Sequence, residues 1–107
     1  METIEKSSGN IFADLGLPNP EERLMKAELA RQINKIIDIR KLKQADAARI
    51  LGIEETKISH LKNGRLSEFS IERLFSFLLS LDSDIEIVVR HAKNGRKKQR
   101  ITVTAEL

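Results

Sequence analysis

The chain has 107 residues, with 19 basic and 16 acidic side chains and no cysteine. This length suffices for one small hydrophobic core and leaves no room for a second domain. Without cysteine, disulfides and thiolate metal sites are excluded, and a reducing cytoplasm is the expected compartment. No apolar run approaches the about 20 residues that cross a bilayer, and the N-terminus lacks the pattern of a signal peptide. We therefore expect a cytoplasmic protein without membrane contact, metal or cofactor.

The two ends of the chain differ in charge. The first 22 residues carry five acidic side chains and one lysine, whereas residues 90–100 carry six basic side chains and no acid. This asymmetry predicts different partners for the two ends. Residues 1–18 also contain an apolar patch that is too short for a core helix and too apolar for a free linker. The patch docks either on the chain's own domain or on another protein, through Ile11, Phe12, Leu15 and Leu17.

A long helix is predicted from Asn19 to about Arg40 or Lys41. Asparagine is a favoured N-cap, Pro20 suits the first helical position, and two glutamates follow in the first turn. Further along, apolar residues recur with the helical period and define one buried face. This face is formed by Leu29, Ile33, Ile36 and Ile37.

Two short helices around a tight turn are predicted within residues 44–64. Gly52 ends the first helix, because glycine enters the left-handed conformation without steric penalty. The second helix starts just after the turn and places Ile58 and Leu61 on its inward face. Small side chains such as Ala48 let the helices cross closely, which leaves the second helix protruding and able to enter a DNA major groove.

A further helix is predicted after the N-cap Ser70, and beyond it the apolar period changes from 3.6 to two. Ile85, Ile87 and Val89 alternate with other residues, and an asparagine–glycine pair precedes a possible return strand over residues 100–104. An isolated hairpin is marginal in water. We therefore expect these three side chains to form a dimer contact with a second copy of the chain, with packing on the chain's own helices as the alternative.

Within the two-helix unit, the residue types and their spacing match a family pattern at Gln44, Ala48, Gly52, Ile53, Ile58, Leu61, Asn63 and Gly64. On this pattern, residues 31–81 resemble the Cro and phage-repressor type helix-turn-helix family, often called XRE. The resemblance implies a mainly α fold, a five-helix lambda-repressor-like helix-turn-helix bundle, to which the sequence adds a C-terminal β-strand or hairpin. Three segments are then expected: residues 1–18 for docking or as a flexible tail, residues 19–82 as the helix-turn-helix domain, and residues 83–107 as a dimerising β-ribbon.

The resemblance also implies roles in DNA binding. Base-reading positions of the family match Glu55, Thr56 and His60, with Lys57 beside them. Glutamate can accept from cytosine N4, threonine offers a methyl to thymine, and histidine can donate to guanine. Contacts with DNA phosphates are expected from Lys43, Gln44, Arg49, Lys62, Asn63 and Arg65. For each residue alone, an ordinary solvated helix surface is the alternative.

An enzyme is not indicated, and we expect no catalytic residues. No metalloprotease, serine hydrolase, P-loop or dinucleotide-binding motif occurs, and His60 and His91 are the only histidines. His60 follows Ser59 directly, but adjacent helical residues point about 100° apart and cannot act as nucleophile and base.

Residues 8–17, together with the helices that follow, resemble small prokaryotic HigA-like antitoxins. In that family the antitoxin neutralises an mRNA-cleaving, RelE-like toxin and represses its own operon. The resemblance implies a homodimeric, autoregulatory repressor of a double-stranded DNA operator, with the apolar patch of residues 11–17 on the toxin. Two alternatives stay open, namely a phage or host repressor without a toxin, and a protein-interaction module that no longer reads DNA.

Overall fold

The computed structural model describes residues 19–91 and 101–107. In this part of the chain there are four helices, which we number α1 (Asn19–Ile39), α2 (Gln44–Leu51), α3 (Glu55–Lys62) and α4 (Ile71–Ser80). These bounds agree with the helices expected from periodicity and capping. None of the helices in the described ranges is long and apolar enough to cross a lipid bilayer.

The core forms where α1 packs chiefly against α4 and α2 packs against α3. Burial of a large apolar side chain stabilises the fold by about 1.5–3 kcal/mol, so a small set of side chains supplies much of the stability. Phe69, in the loop between α3 and α4, meets Phe77 edge to face with the ring centres 5.8 Å apart. The largest fully buried side chains are Phe69, Ile33, Ile37, Ile58, Leu61 and Leu74.

The expected five-helix bundle with a C-terminal β-strand or hairpin is wrong. The described residues form four helices, and segments 81–91 and 101–107 contain no strand. Strand geometry requires hydrogen bonds from a neighbouring strand, and no such ladder joins these two segments. The fifth helix was implied by the family resemblance alone, whereas the sequence itself supplies four helical patterns. The turn expected at residues 94–95 lies outside the described residues.

The alternating pattern after α4 does not sort its side chains onto two faces. Ile85 is partly buried and packs against the core, but Ile87, Val88 and Val89 are all exposed. A sheet face would have placed Ile85 and Val89 in the same environment. Residues 87–89 therefore leave a contiguous run of apolar surface rather than one face of a ribbon.

Glycines close both helices of the two-helix unit, as expected. Gly52 has φ 71° and ends α2, where the N–H of Ile53 donates to the carbonyl of Ala48 at 3.0 Å. Gly64 has φ 75° after α3, and the N–H of Arg65 donates to the carbonyl of His60 at 2.9 Å. Only glycine adopts these left-handed conformations at no steric cost, so the turn geometry that positions α3 is encoded locally.

Candidate nucleic-acid interface

Helix α3 is fixed against its neighbours at both ends. At its start, Gln44 Nε2 donates to the carbonyl of Glu55 and to Ser59 Oγ, each at 2.8 Å. At its end, Asn34 Nδ2 on α1 donates to the carbonyl of Leu61 at 3.0 Å. Ala48 is a small, buried residue of α2, which packs against α3, so it allows the two helices to approach closely. The orientation of α3 relative to the domain is thus set by hydrogen bonds as well as by packing.

The outer surface of α3 carries the four predicted base-reading residues. Ile58 and Leu61 are buried, so the opposite side of the helix faces solvent. Glu55 and Thr56 are exposed, whereas Lys57 and His60 are partly covered. The structure therefore brings all four onto one short helix in two different environments.

Lys57 and His60 share an acidic partner that the sequence analysis missed. Glu68, in the loop between α3 and α4, accepts a hydrogen bond from Lys57 Nζ at its Oε2, 2.9 Å away. Its other oxygen, Oε1, contacts His60 Nδ1. No sequence signal identifies this contact, because it joins a helix to an irregular loop and follows no periodicity.

These contacts change the acidity of Glu68. The hydrogen bond from Lys57, followed by that of His60, holds the pKa of the Glu68 carboxyl below its usual range. A carboxyl with a lowered folded-state pKa stabilises the fold above its usual titration range, and that contribution is lost as pH falls through the lowered pKa. Near neutral pH, Glu68 is therefore an ionised carboxylate.

The predicted phosphate-binding residues lie at the ends of α2 and α3. Lys43 is exposed at the N-cap of α2 and makes no side-chain cap, so the first backbone N–H groups of that helix can face an anion. Both amide protons of Gln44 are already donated within the protein. Arg49 pairs with Asp46 at 2.7 Å. The other three predicted residues, Lys62, Asn63 and Arg65, are exposed at the end of α3 and just beyond it.

The remaining predicted contacts lie elsewhere. Ile11, Phe12, Leu15 and Leu17 fall outside the described residues. Of the expected dimer contacts, Ile85 packs against the domain's own core. Ile87 and Val89 are 46% and 84% exposed, respectively.

Four helices with a protruding, solvent-facing α3 after a glycine turn define a helix-turn-helix protein, and comparisons with known proteins agree. A family model described as a helix-turn-helix domain matches residues 11–90. A solved structure named, provisionally, as an XRE family transcriptional regulator is 46% identical, with a TM-score of 0.80. The similarity covers 83% of this chain and 100% of that chain. The chain belongs to the XRE family of helix-turn-helix transcriptional regulators. No protein with a curated description matches the chain.

Proposed function

We propose that the protein is a repressor that binds its own operator as a homodimer and reads base edges with α3. The observation that carries this proposal is the fixed orientation of α3. Hydrogen bonds from Gln44 and Asn34 hold this helix so that its exposed side faces solvent. A helix held in this way inserts into a major groove without having to be ordered on binding, so less conformational entropy is lost.

The side chains on α3 supply chemistry for reading bases. The Glu55 carboxylate can accept from cytosine N4, and the Thr56 methyl can contact thymine. Lys57 can donate to guanine O6 or N7 if it leaves Glu68. Contacts of this kind discriminate between base pairs by about 1–3 kcal/mol each.

Binding to the DNA upstream of the protein's own gene tests the proposal. We expect clear preference for that DNA over a shuffled duplex of the same composition when affinity is measured across a salt titration. Specific sites are typically bound about 10³–10⁷ times more tightly than random DNA. Equal affinity for the two duplexes at every salt concentration would contradict the repressor proposal.

Replacing Lys43 by alanine should weaken binding to all duplexes alike. Lys43 is exposed beside the uncapped start of α2, where a phosphate contact contributes affinity without sequence information. The slope of log affinity against log salt should therefore fall in magnitude by about one unit. Arg23→Ala is the control, because it also removes one positive charge but at the opposite end of α1. Arg23 lies about 24 Å along the helix axis from Ile39, the end of α1 that leads to Lys43. A change confined to one base position would refute the assignment.

Dimerisation is proposed through the exposed apolar run after α4. Ile87, Val88 and Val89 lie together on the surface, and a second copy of the same run could cover them across a two-fold axis. A two-fold dimer would also match an operator with two half-sites. Ile85 would contribute from beneath, since it already packs against the core.

We also propose that the repressor is an antitoxin whose residues 1–18 bind a RelE-like toxin. The support is the acidic character of the first 22 residues, which would complement a basic, RNA-handling surface. All buried residues of the described core lie at or beyond Met25, so toxin binding and DNA binding would use separate parts of the chain.

Deleting residues 1–18 should separate these two activities. The shortened protein should keep its helical circular dichroism and its operator affinity, because the described core starts within α1. It should no longer protect cells from the toxin encoded beside its gene. A narrower variant, Ile11→Ser with Phe12→Ser, should show the same loss of protection. Full protection by the shortened protein, or its unfolding, would contradict a toxin-binding role. A plain repressor without a toxin partner would then be favoured.

A further inference from the structure

We propose that Glu68 is a positioning residue that fixes the tautomer of His60, so that His60 presents Nε2 to DNA as a hydrogen-bond acceptor. His60 would then select a base amine, the N4 of cytosine or the N6 of adenine. This inference deepens the proposed function and rests on it for the DNA contact. The protonation of His60 can be measured without DNA.

The geometry gives each oxygen of Glu68 its own partner. Lys57 Nζ donates to Oε2 at 2.9 Å, and His60 Nδ1 contacts Oε1. Lys57 therefore does not compete with His60 for the same oxygen. Both partners lie on α3, whereas Glu68 comes from the following loop, so the carboxylate links the reading helix to the body of the domain.

The chemistry of the two groups determines where the proton lies. An ionised carboxylate can only accept hydrogen bonds, so the contact with Oε1 requires a proton on Nδ1 of His60. A neutral imidazole carries one proton, and Nε2 is then left with a free lone pair. The lysine partner keeps Glu68 in its ionised form, because it favours the charged state of the carboxyl.

This tautomer limits which bases His60 can read. In the major groove, guanine and thymine offer acceptors at the positions where cytosine and adenine offer amines. A lone pair on Nε2 is matched by an amine and not by guanine O6 or N7. The acceptor role differs from the donor role that the sequence alone suggested for His60. Glu68 would thereby influence specificity without touching the DNA itself.

Nitrogen NMR of the histidine rings tests the tautomer directly. His60 and His91 are the only two histidines, and His91 is exposed and serves as an internal reference. At about pH 8, where an ordinary histidine is neutral, we expect the wild-type His60 ring to carry its proton on Nδ1. In Glu68→Ala, His60 should adopt the tautomer shown by His91. Glu54→Ala removes a carboxylate beside α3 but should leave the His60 signal unchanged, because Glu54 makes no side-chain cap. Identical His60 signals in the wild type and Glu68→Ala would overturn the proposal.

Binding to operator variants tests the consequence for specificity. Each base pair of a half-site is substituted in turn, and the affinity of the wild-type protein is measured. At one position that bears cytosine or adenine, substitution should lower this affinity about tenfold or more. Glu68→Ala should lose most of this preference, whereas Glu54→Ala should retain it. If the wild type discriminates between bases but Glu68→Ala shows the same profile, the proposed link to specificity is wrong. If the wild type binds all operator variants equally, the repressor proposal fails. The NMR measurement of the proton position on His60 then still shows whether Glu68 fixes the tautomer.

Discussion

Replacing Thr56 and His60 together by alanine is expected to abolish the preference for operator DNA while leaving weak general binding. The two residues lie one helical turn apart on α3, on the side opposite Ile58 and Leu61. Each good base contact is worth about 1–3 kcal/mol, so losing two should reduce operator affinity by a factor of about 30 to 3 × 10⁴. The residues proposed to contact phosphates at the helix ends are unchanged in this variant, and they should maintain affinity for any duplex.

This change should act on recognition and not on folding, because neither side chain is part of the buried core. A suitable control is Glu28→Ala with Arg31→Ala, which removes an exposed pair 3.2 Å apart on α1 and leaves the net charge unchanged. Such a pair contributes at most about 1 kcal/mol to stability. Footprinting on the operator should show protection by the control and none by the α3 variant. The same footprint from both would remove Thr56 and His60 from the base-reading set.

The two-helix unit could be predicted well because its determinants are local. Gly52 and Gly64 specify left-handed residues at fixed positions, and the spacing of Ile58 and Leu61 specifies which side of α3 is buried. These features need no knowledge of the rest of the chain. The α1 and α4 bounds followed from capping and from the 3.6-residue period in the same way.

The segment after α4 could not be predicted in this way. Alternation of apolar residues indicates a strand only when another strand is present to accept its hydrogen bonds, and that partner is not encoded in the segment itself. In the described residues, Ile85 finds the core of the domain instead, and its neighbours stay exposed. The Glu68 contacts were missed for a related reason, since they depend on where an irregular loop places its side chain relative to Lys57 and His60.

If the protein forms the proposed dimer, replacing Ile87 and Val89 by aspartate is expected to give a folded monomer with greatly reduced operator affinity. If the exposed apolar run forms the dimer contact, each chain would bring two carboxylates into the interface. Burying these charges away from water is unfavourable and would prevent dimerisation. The helices should remain, because Ile85 keeps its place against the core and the two changed side chains are largely outside it. Two linked half-site contacts typically exceed one by about 10²–10⁴ in affinity, so a loss of this size is expected.

Sedimentation and circular dichroism distinguish loss of the dimer from loss of the fold. Leu24→Asp is the matched control, because Leu24 is also an exposed apolar residue, 66% accessible, but lies near the start of α1. This control should sediment as the wild type does and should bind the operator with unchanged affinity. The Ile87 and Val89 variant should sediment as a monomer at the same concentration while keeping the helical signal. If it still sediments as a dimer, the contact between copies lies elsewhere, and the apolar run after α4 must be covered by a different partner.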